Sequence, residues 1–409
     1  MKHWFAASLY LGLGLLFLLY PSRGLPATQE DTIAALQAQV AALTERLEAL
    51  ESRKAIPIQD YEAPTPVAPP PSTPGWTDRI KLSGDFRYRH ETIDAEFADS
   101  DRHRNRIRAR PALTAQITDT VDVGLGLATG GDDPASANQT LGEAFSKKPI
   151  NVDLAYFNWR TPLDGLAVTA GKYKNPLYRA GDNGLIWDSD LRPEGSNVTF
   201  KSGGLTLTGL MNWITESSGS DNLFYGGQAS WSAALGAESG LRIGAGFYEL
   251  SDVEGQPVPF DGNPRGNSVD ALNNYVNGYQ ELELFGELNF HIGERPTLVY
   301  ANYVQNLDAS EYDVGWIVGA SVQFLHGKRP WELGYAYEHL EPDAVLGLFT
   351  DSDFIGGGTN GRGHIFSGSY ALTKNISLGG TLFINERGGY GAGEWEDFNR
   401  LMLDIAFKY

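Results

Sequence analysis

The 409-residue sequence contains no cysteine, three methionines, and fewer basic than acidic residues. Without cysteine the chain can form no disulfide framework, and it offers no thiol for acylation. The formal net charge of -19 argues against a nucleic-acid partner, because a phosphate backbone demands a basic surface. The mean hydropathy of -0.28 excludes a protein built from membrane-spanning helices.

Motifs that carry enzyme chemistry are also absent from the sequence. The seven histidines include no HExxH motif and no clustered pair at metal spacing, so we expect no metal site. No GxxxxGK phosphate loop occurs. His364 and Ser367 are the nearest approach to a hydrolase pair, but on one strand they would point to opposite faces. We therefore predict a protein that is not an enzyme and needs no cofactor.

Only one apolar run approaches the length that crosses a membrane, at residues 4–20. It follows Lys2 and His3, and small residues at 22–27 suit a cleavage site. This arrangement predicts a secretory signal peptide over residues 1–27. Export of a chain without disulfides fits a Gram-negative envelope better than a eukaryotic secreted domain.

A short helix and a proline-rich spacer are predicted next. In residues 28–54, apolar side chains alternate at steps of three and four, the a/d spacing of a coiled coil. Barely three heptads make a weak coil, so we expect copies to associate only when something else holds them together. The alternative is a single amphipathic helix lying on another surface. Prolines then crowd residues 57–74, which predicts an extended linker over 55–79.

From residue 80 to residue 409 polar and apolar residues alternate, as on strands with one face of each kind. Abundant glycine and aromatic residues suit tight turns and aromatic belts. The pattern predicts an all-β fold, a transmembrane antiparallel β-barrel of about 16 strands. The predicted strands are 80–93, 103–118, 121–129, 151–160, 166–174, 196–202, 205–215, 224–235, 240–250, 278–292, 296–306, 313–325, 330–340, 362–372, 375–386 and 398–409.

The predicted connections fall into two classes that alternate along the chain. Tight turns are expected at 119–120, 202–204, 293–294, 327–328 and 373–374, and longer loops at 130–150, 175–195, 251–277, 341–361 and 387–397. Short turns at one end and long loops at the other are typical of an outer-membrane barrel surrounded by lipid. The prediction is therefore a protein of the cell outer membrane, with its N-terminal extension in the periplasm.

Arginines recur at every second position of the predicted second strand, so their side chains share one face. An arginine facing lipid near the membrane midplane costs roughly 2–4 kcal/mol, so the stripe must face an aqueous interior. The first strand adds two arginines to the same wall. The predicted pore-lining arginines are Arg87, Arg89, Arg104, Arg106, Arg108 and Arg110.

An acidic segment at residues 174–195 could oppose these arginines. The apolar residues 185–187 need burial, which favours a loop folded into the barrel. The alternative is a loop lying over the mouth with its acids solvated. If the loop folds inward, Asp188, Asp190 and Glu194 would face the arginines across a narrow gap. The resulting transverse field would orient polar solutes and select ions.

Residues 101–117, 127–159 and 169–195 carry a family resemblance. They resemble the "putative porin" family of Gram-negative outer membranes, densely over roughly 80–200 and in pattern beyond that. The resemblance implies a barrel with one pore per subunit that associates as a homotrimer. It also implies insertion by the barrel-assembly machinery, which the aromatic last residue Tyr409 suits, although phenylalanine is commoner at that place.

Two hypotheses of function result from these patterns. The first is a porin, a passive water-filled channel for ions and small hydrophilic solutes. The second is a structural anchor, in which residues 28–54 bind the cell wall or a periplasmic partner and the barrel only holds them. Deleting residues 28–75 separates the two, because a tether would lose its phenotype whereas a pore would keep its conductance.

Overall fold

The computed structural model describes residues 75–219, 221–326, 329–391 and 393–409, and residues 38, 40–46 and 48 near the N-terminus. The last group is α-helical. No helix within these ranges has both the length and the apolar character needed to cross a membrane. The predicted signal peptide, most of the predicted helix 28–54 and the linker as far as residue 74 lie outside the described residues.

The described chain from residue 80 onward forms a single antiparallel sheet of 17 strands. The strands are β1 (Ile80–Ala95), β2 (Arg102–Gln116), β3 (Val121–Thr129), β4 (Gln139–Thr140), β5 (Ile150–Arg160), β6 (Leu166–Lys172), β7 (Glu194–Ser202), β8 (Leu205–Thr215), β9 (Asn222–Ala234), β10 (Gly240–Leu250), β11 (Tyr279–Ile292), β12 (Arg295–Asn306), β13 (Val314–His326), β14 (Arg329–Leu340), β15 (Gly361–Ala371), β16 (Ile376–Arg387) and β17 (Glu396–Lys408).

The sheet closes on itself because β1 pairs with both β2 and β17. The two-residue β4 pairs with β2 next to the segment of β2 that pairs with β3. Strand β3 pairs directly with β5. Sixteen strands therefore form the wall, which confirms the predicted barrel. Closure leaves no sheet edge, so the backbone N–H and C=O groups of the wall can pair without water.

Two strand boundaries differ from the prediction in ways that matter for function. Strand β1 continues to Ala95, and β7 begins at Glu194. The sequence pattern had placed Glu194 in the preceding loop, but it pairs in register with Lys172 of β6. The attraction between these opposite charges on neighbouring strands favours the longer ladder.

Short turns and longer loops lie at opposite ends of the barrel, here termed the turn end and the loop end. The loops that concern the interior are L2 (residues 130–149), L3 (173–193), L5 (251–278) and L7 (341–360). Turns such as 203–204 and 293–294 connect strands at the other end. The predicted division into tight turns and long loops is thus present.

The outward faces of the strands are mainly apolar, and most charged side chains of the strands point inward. On β1 the outward side chains include Leu82 and Phe86, which are 66% and 37% exposed. The alternate positions Asp85, Arg87 and Arg89 point inward, and Arg89 is only 4% exposed. A strand with this alternation buries its charges inside the barrel and presents hydrocarbon to its surroundings.

An apolar core lies inside the barrel, formed by two loops and the inward faces of the strands. Trp187 of L3 packs on Phe224 and Tyr248, with ring centroids 4.9 and 5.3 Å apart. Leu346 and Leu348 of L7 belong to the same cluster. L3 and L7 therefore fill part of the interior at the loop end, which narrows the space left for water.

Replacing Leu284 with arginine should test the outward assignment. Leu284 lies near the middle of β11 and is 49% exposed. If this face contacts lipid, L284R should lower the unfolding free energy in liposomes by roughly 2–4 kcal/mol, measured by denaturant titration.

The matched control is Leu163→Arg, in the turn between β5 and β6, where Leu163 is 62% exposed. A turn in contact with water should tolerate arginine within about 0.5 kcal/mol. Equal stability of L284R and L163R would contradict a lipid-facing β11.

Candidate functional site

Arginines of β1 and β2 face each other across the strand pair. Arg87 is the register partner of Arg108, and Arg89 that of Arg106. All four are inward and largely buried. Like charges in directly opposed positions are destabilising. The six inward arginines of β1 and β2 are termed the arginine ladder: Arg87, Arg89, Arg104, Arg106, Arg108 and Arg110. The ladder can form only if carboxylates lie close enough to offset the repulsion.

The lower part of the ladder, toward the turn end, is held by two aspartates. Asp85 of β1 lies 3.1 Å from Arg108 and 2.8 Å from Arg110. Asp190 of L3 reaches the same two arginines at 3.2 and 2.6 Å. Burial would raise the pKa of Asp190, but the charges of Arg108 and Arg110 hold that pKa below its usual value. Asp190 is therefore ionised, and it anchors L3 to the wall.

The upper part of the ladder is held by Glu91, which is 0% exposed. Glu91 accepts a hydrogen bond from Arg104 and lies 3.5 Å from Arg106. Arg400 of β17 donates to the other carboxylate oxygen at 2.9 Å. The Glu91 carboxylate therefore contacts arginines of both strands next to β1, namely β2 and β17.

Loop L7 supplies a further acid, Asp353. Its carboxylate lies 2.8 Å from Arg89 and 2.9 Å from Arg400, while Asp404 of β17 lies 2.8 Å from Arg89. Burial opposes ionisation of Asp353, but the charges of Arg400 and Arg89 hold its pKa well below the usual range. These bonds fasten L7 to the arginine ladder.

The three predicted acids have different surroundings. Asp190 contacts the ladder. Asp188 instead accepts hydrogen bonds from the backbone N–H groups of Asp190 and Ser352, at 2.6 and 2.9 Å. Glu194 lies 2.7 Å from Lys172, at the end of the β6–β7 pair. Only one of the three therefore pairs with a predicted arginine, and their role in a pore stays a prediction.

Sequence reasoning missed five charged residues of this network, namely Asp85, Glu91, Asp353, Arg400 and Asp404. A usable signal existed on β1, where charges at 85, 87, 89 and 91 share one face. The contribution of β17 becomes visible only once the sheet is closed, since it adjoins β1 solely through closure.

Two arginines keep unsatisfied donors. Arg87 donates to the side chain of Asn138 in L2, and Arg106 donates to the backbone carbonyl of the same residue at 3.2 Å. The Nε groups of both arginines are buried, with no hydrogen-bond partner among the described residues. Each of these arginines therefore keeps a free donor, although Asp404 lies 3.8 Å from Arg87 and Glu91 lies 3.5 Å from Arg106.

Two cavities adjoin the lower ladder. One, of about 440 Å³, is lined by Lys172, Asp190 and Glu194 toward the loop end. The other, of about 300 Å³, is lined by Asp85 and Arg110 toward the turn end. Both are also lined by the ion pair of Arg192 and Asp153, whose charged atoms lie 3.2 Å apart. This pair marks the boundary between the two spaces.

Two carboxyl groups where L3 meets L7 are hard to ionise. Burial, followed by the charges of Asp351 and Asp190, raises the pKa of Asp188 to about 8. Burial and the neighbouring Asp353 raise the pKa of Asp351 to about 6.

Within the described residues, no group of three or more histidines and acids is arranged to hold a metal ion.

Substituting Asp353 with asparagine should destabilise the barrel, because Arg89 and Arg400 would lose a shared anion. We expect a loss of about 3 kcal/mol at pH 7 in denaturant unfolding. Since folding lowers the pKa of Asp353, its contribution is present above the unfolded pKa and vanishes as the pH falls. The difference from the parent chain should therefore shrink below about pH 4.

Asp351→Asn is the control, because Asp351 has the opposite pKa shift. Its folded-state pKa of about 6 exceeds the unfolded value, so ionisation should destabilise the parent chain as the pH rises from about 4 to about 6. D351N should lack that decline and be at least as stable at pH 7. A D353N barrel as stable as the parent at pH 7 would contradict the ladder's dependence on L7.

Several solved structures have a fold similar to this barrel. Among solved structures it is similar to OprB of Pseudomonas putida, with a TM-score of 0.54 and 12% identity over 81% of this chain and 94% of that one. It is also similar to OmpF of Salmonella typhi in complex with daunomycin, with a TM-score of 0.51 and 10% identity over 81% and 97%. At such identities the likeness concerns the fold alone.

Sequence comparison is more specific. No curated protein matches the chain. The model of the family described as "Putative porin" matches residues 92–277 and 294–387, which is more than half of the chain. That match identifies the chain as a member of this porin family. The closed barrel agrees with the match, and the chain is thus an outer-membrane β-barrel of the channel-forming kind.

Proposed function

We propose that the chain is a passive, water-filled channel for ions and small hydrophilic solutes across the outer membrane. The observation that carries the proposal is a ladder of charged side chains enclosed by a closed barrel. Lipid would not tolerate such a ladder, which supports a polar interior, and the cavities beside it leave room for water. By the usual arrangement of such barrels, the turn end faces the periplasm and the N-terminal extension with residues 28–54 lies there.

The narrowest part of the channel, in this proposal, lies where L3 meets the arginine ladder. Asp190 supplies the acid and Arg108 and Arg110 the facing cations, at 3.2 and 2.6 Å. The remaining arginines of the wall, Arg87, Arg89, Arg104 and Arg106, continue it toward the loop end.

Past this point, the proposed path leads from one cavity to the other. The ion pair of Arg192 and Asp153 lines both cavities. Movement of the Arg192 side chain would join the spaces, since the pair is the boundary common to both. The network of the ladder and Arg400 holds seven arginines but only five carboxylates, namely Asp85, Glu91, Asp190, Asp353 and Asp404, and this excess of positive charge favours anions in the passage.

Planar-bilayer recording of the double variant Arg106→Ser with Arg108→Ser tests the assignment. Removing two positive charges from the passage should move the reversal potential in a tenfold KCl gradient toward cation selectivity. We expect a shift on the order of 10 mV, against about 59 mV for ideal selectivity to one monovalent ion.

The control is Arg160→Ser, since Arg160 pairs with Asp122 near the turn end and is 47% exposed. R160S should leave the reversal potential within a few millivolts. An unchanged potential in the double variant would exclude Arg106 and Arg108 from the passage. If the parent chain conducts no current at any voltage, the proposed channel function is wrong.

We further propose that three barrels associate, through the outward face of β1 and β2. That face carries polar side chains, which are costly to place against lipid even though they hydrogen-bond with one another: Asn105 with Tyr88 and His90 at 3.0 Å, and Thr92 with His103 at 3.0 Å. Contact with a second copy would shield these groups from hydrocarbon. The rest of the outward surface contacts lipid.

Ala109→Trp tests this interface, because Ala109 lies on the outward face of β2 opposite Phe86. The bulky ring should convert trimers to monomers in mild detergent, measured by light scattering. Ala320→Trp, on the outward face of β13, is the control and should remain trimeric. Trimers of A109W, or monomers of the parent chain, would contradict the proposed interface.

The anchor hypothesis and the contact with the barrel-assembly machinery stay predictions. Most of residues 28–54 lie outside the described residues, and the family and fold are those of channel proteins.

A further inference from the structure

In the described part of the chain, a buried acidic residue of the inner wall has no partner, on a strand that lies four strands from β1 around the barrel. Glu338 of β14 is 2% exposed. Among the described residues no hydrogen bond or ion pair reaches its carboxylate. Buried charges normally have such partners, because burial of an unpaired ion is strongly unfavourable. The surroundings of Glu338 therefore require an explanation.

Glu338 lines a cavity of about 500 Å³ between L3 and the inner wall. The volume lies in the range of small-molecule sites. The lining contains seven carboxylates and two arginines. Tyr300 and Phe383 add aromatic rings, and Gly181 of L3 lies so close to Tyr300 that a Cβ there would come within 2.3 Å of the ring.

The protein's own cations in this cavity are engaged elsewhere. Arg89 is held by Asp404 and Asp353 at 2.8 Å each. Arg179 donates to the backbone carbonyls of Asn183 and Trp187 at 3.1 and 3.2 Å. Neither guanidinium contacts Glu338, so no cation of the described residues lining this cavity neutralises its carboxylate.

We propose that the cavity binds the protonated amine of a small organic solute, with Glu338 as its counter-ion and Tyr300 as an aromatic neighbour. An ammonium group suits both a carboxylate and an aromatic face. A metal ion fits less well, because no three histidine or acidic side chains of the described residues are arranged to hold one. The inference rests on the proposed channel for access of the solute.

Calorimetry on the full chain in detergent tests the site, with n-butylammonium as the probe and n-butanol as its neutral counterpart. The parent chain should bind n-butylammonium and not n-butanol. Glu338→Gln keeps the shape and removes the charge, so it should weaken binding at least about 10-fold. n-Butylammonium should also raise the melting temperature of the parent chain and not that of E338Q.

Glu283→Gln is the matched control. Glu283 of β11 is as buried as Glu338, but it accepts hydrogen bonds from Gln228, Tyr248 and Asn302 at 2.9, 2.6 and 2.9 Å. It does not belong to the cavity lining. E283Q should bind n-butylammonium within about twofold of the parent chain. If E338Q does not fold, Glu338→Asp takes its place and should weaken binding several-fold.

Four outcomes would overturn the proposal: no binding of n-butylammonium by the parent chain, equal binding by the parent chain and the Glu338 variant, equal binding of n-butanol, or binding of calcium chloride in place of n-butylammonium. Conductance in KCl without amine separates this inference from the channel. A chain that conducts but does not bind the amine loses the site and keeps the channel. A chain that binds the amine but carries no current keeps the site and loses the channel.

Discussion

The interior of this barrel depends on neutralising a ladder of arginines that the strand pairing forces together. Arg87 lies opposite Arg108 and Arg89 opposite Arg106, so the β1–β2 pair would repel itself. The carboxylates that offset this repulsion come from the strands and from two distant loops, through Asp190 and others. Because L3 and L7 both bond to the ladder, the charge balance of the wall also decides where these loops lie.

The two loops divide the interior unequally. Their apolar residues, with Trp187 at the centre, pack against the inward faces of β9 and β10. Space remains near the ladder, on both sides of the Arg192–Asp153 pair, and beneath L3 along β12 to β16. In the proposed channel, a solute would meet the arginines of β1 and β2 and, four strands further round the wall, carboxylates such as Glu338, so both its charge and its orientation would matter for passage.

Part of the site could be predicted because side chains on a strand alternate. The inward direction of the arginines at 104–110 follows from that period and from the cost of facing lipid. The infolding of residues 185–187 was favoured for their apolar character, and the structure buries them. Asp353 and Arg400 were not found, since no local pattern links L7 or β17 to β1. Asp188 and Glu194 were expected at the ladder, but the backbone of L7 and Lys172 are their partners.

The sequence by itself determined the class of architecture: alternation set the two faces of each strand, and the spacing of turns and loops set the number of strands. These are local properties, fixed by residues within about ten positions of one another. Only the tertiary structure decided which carboxylate neutralises which arginine, and that Glu338 has no partner among the residues the structure describes. The physical reason is that electrostatic pairing depends on distance through space, and closure of the barrel joins residues more than 300 positions apart.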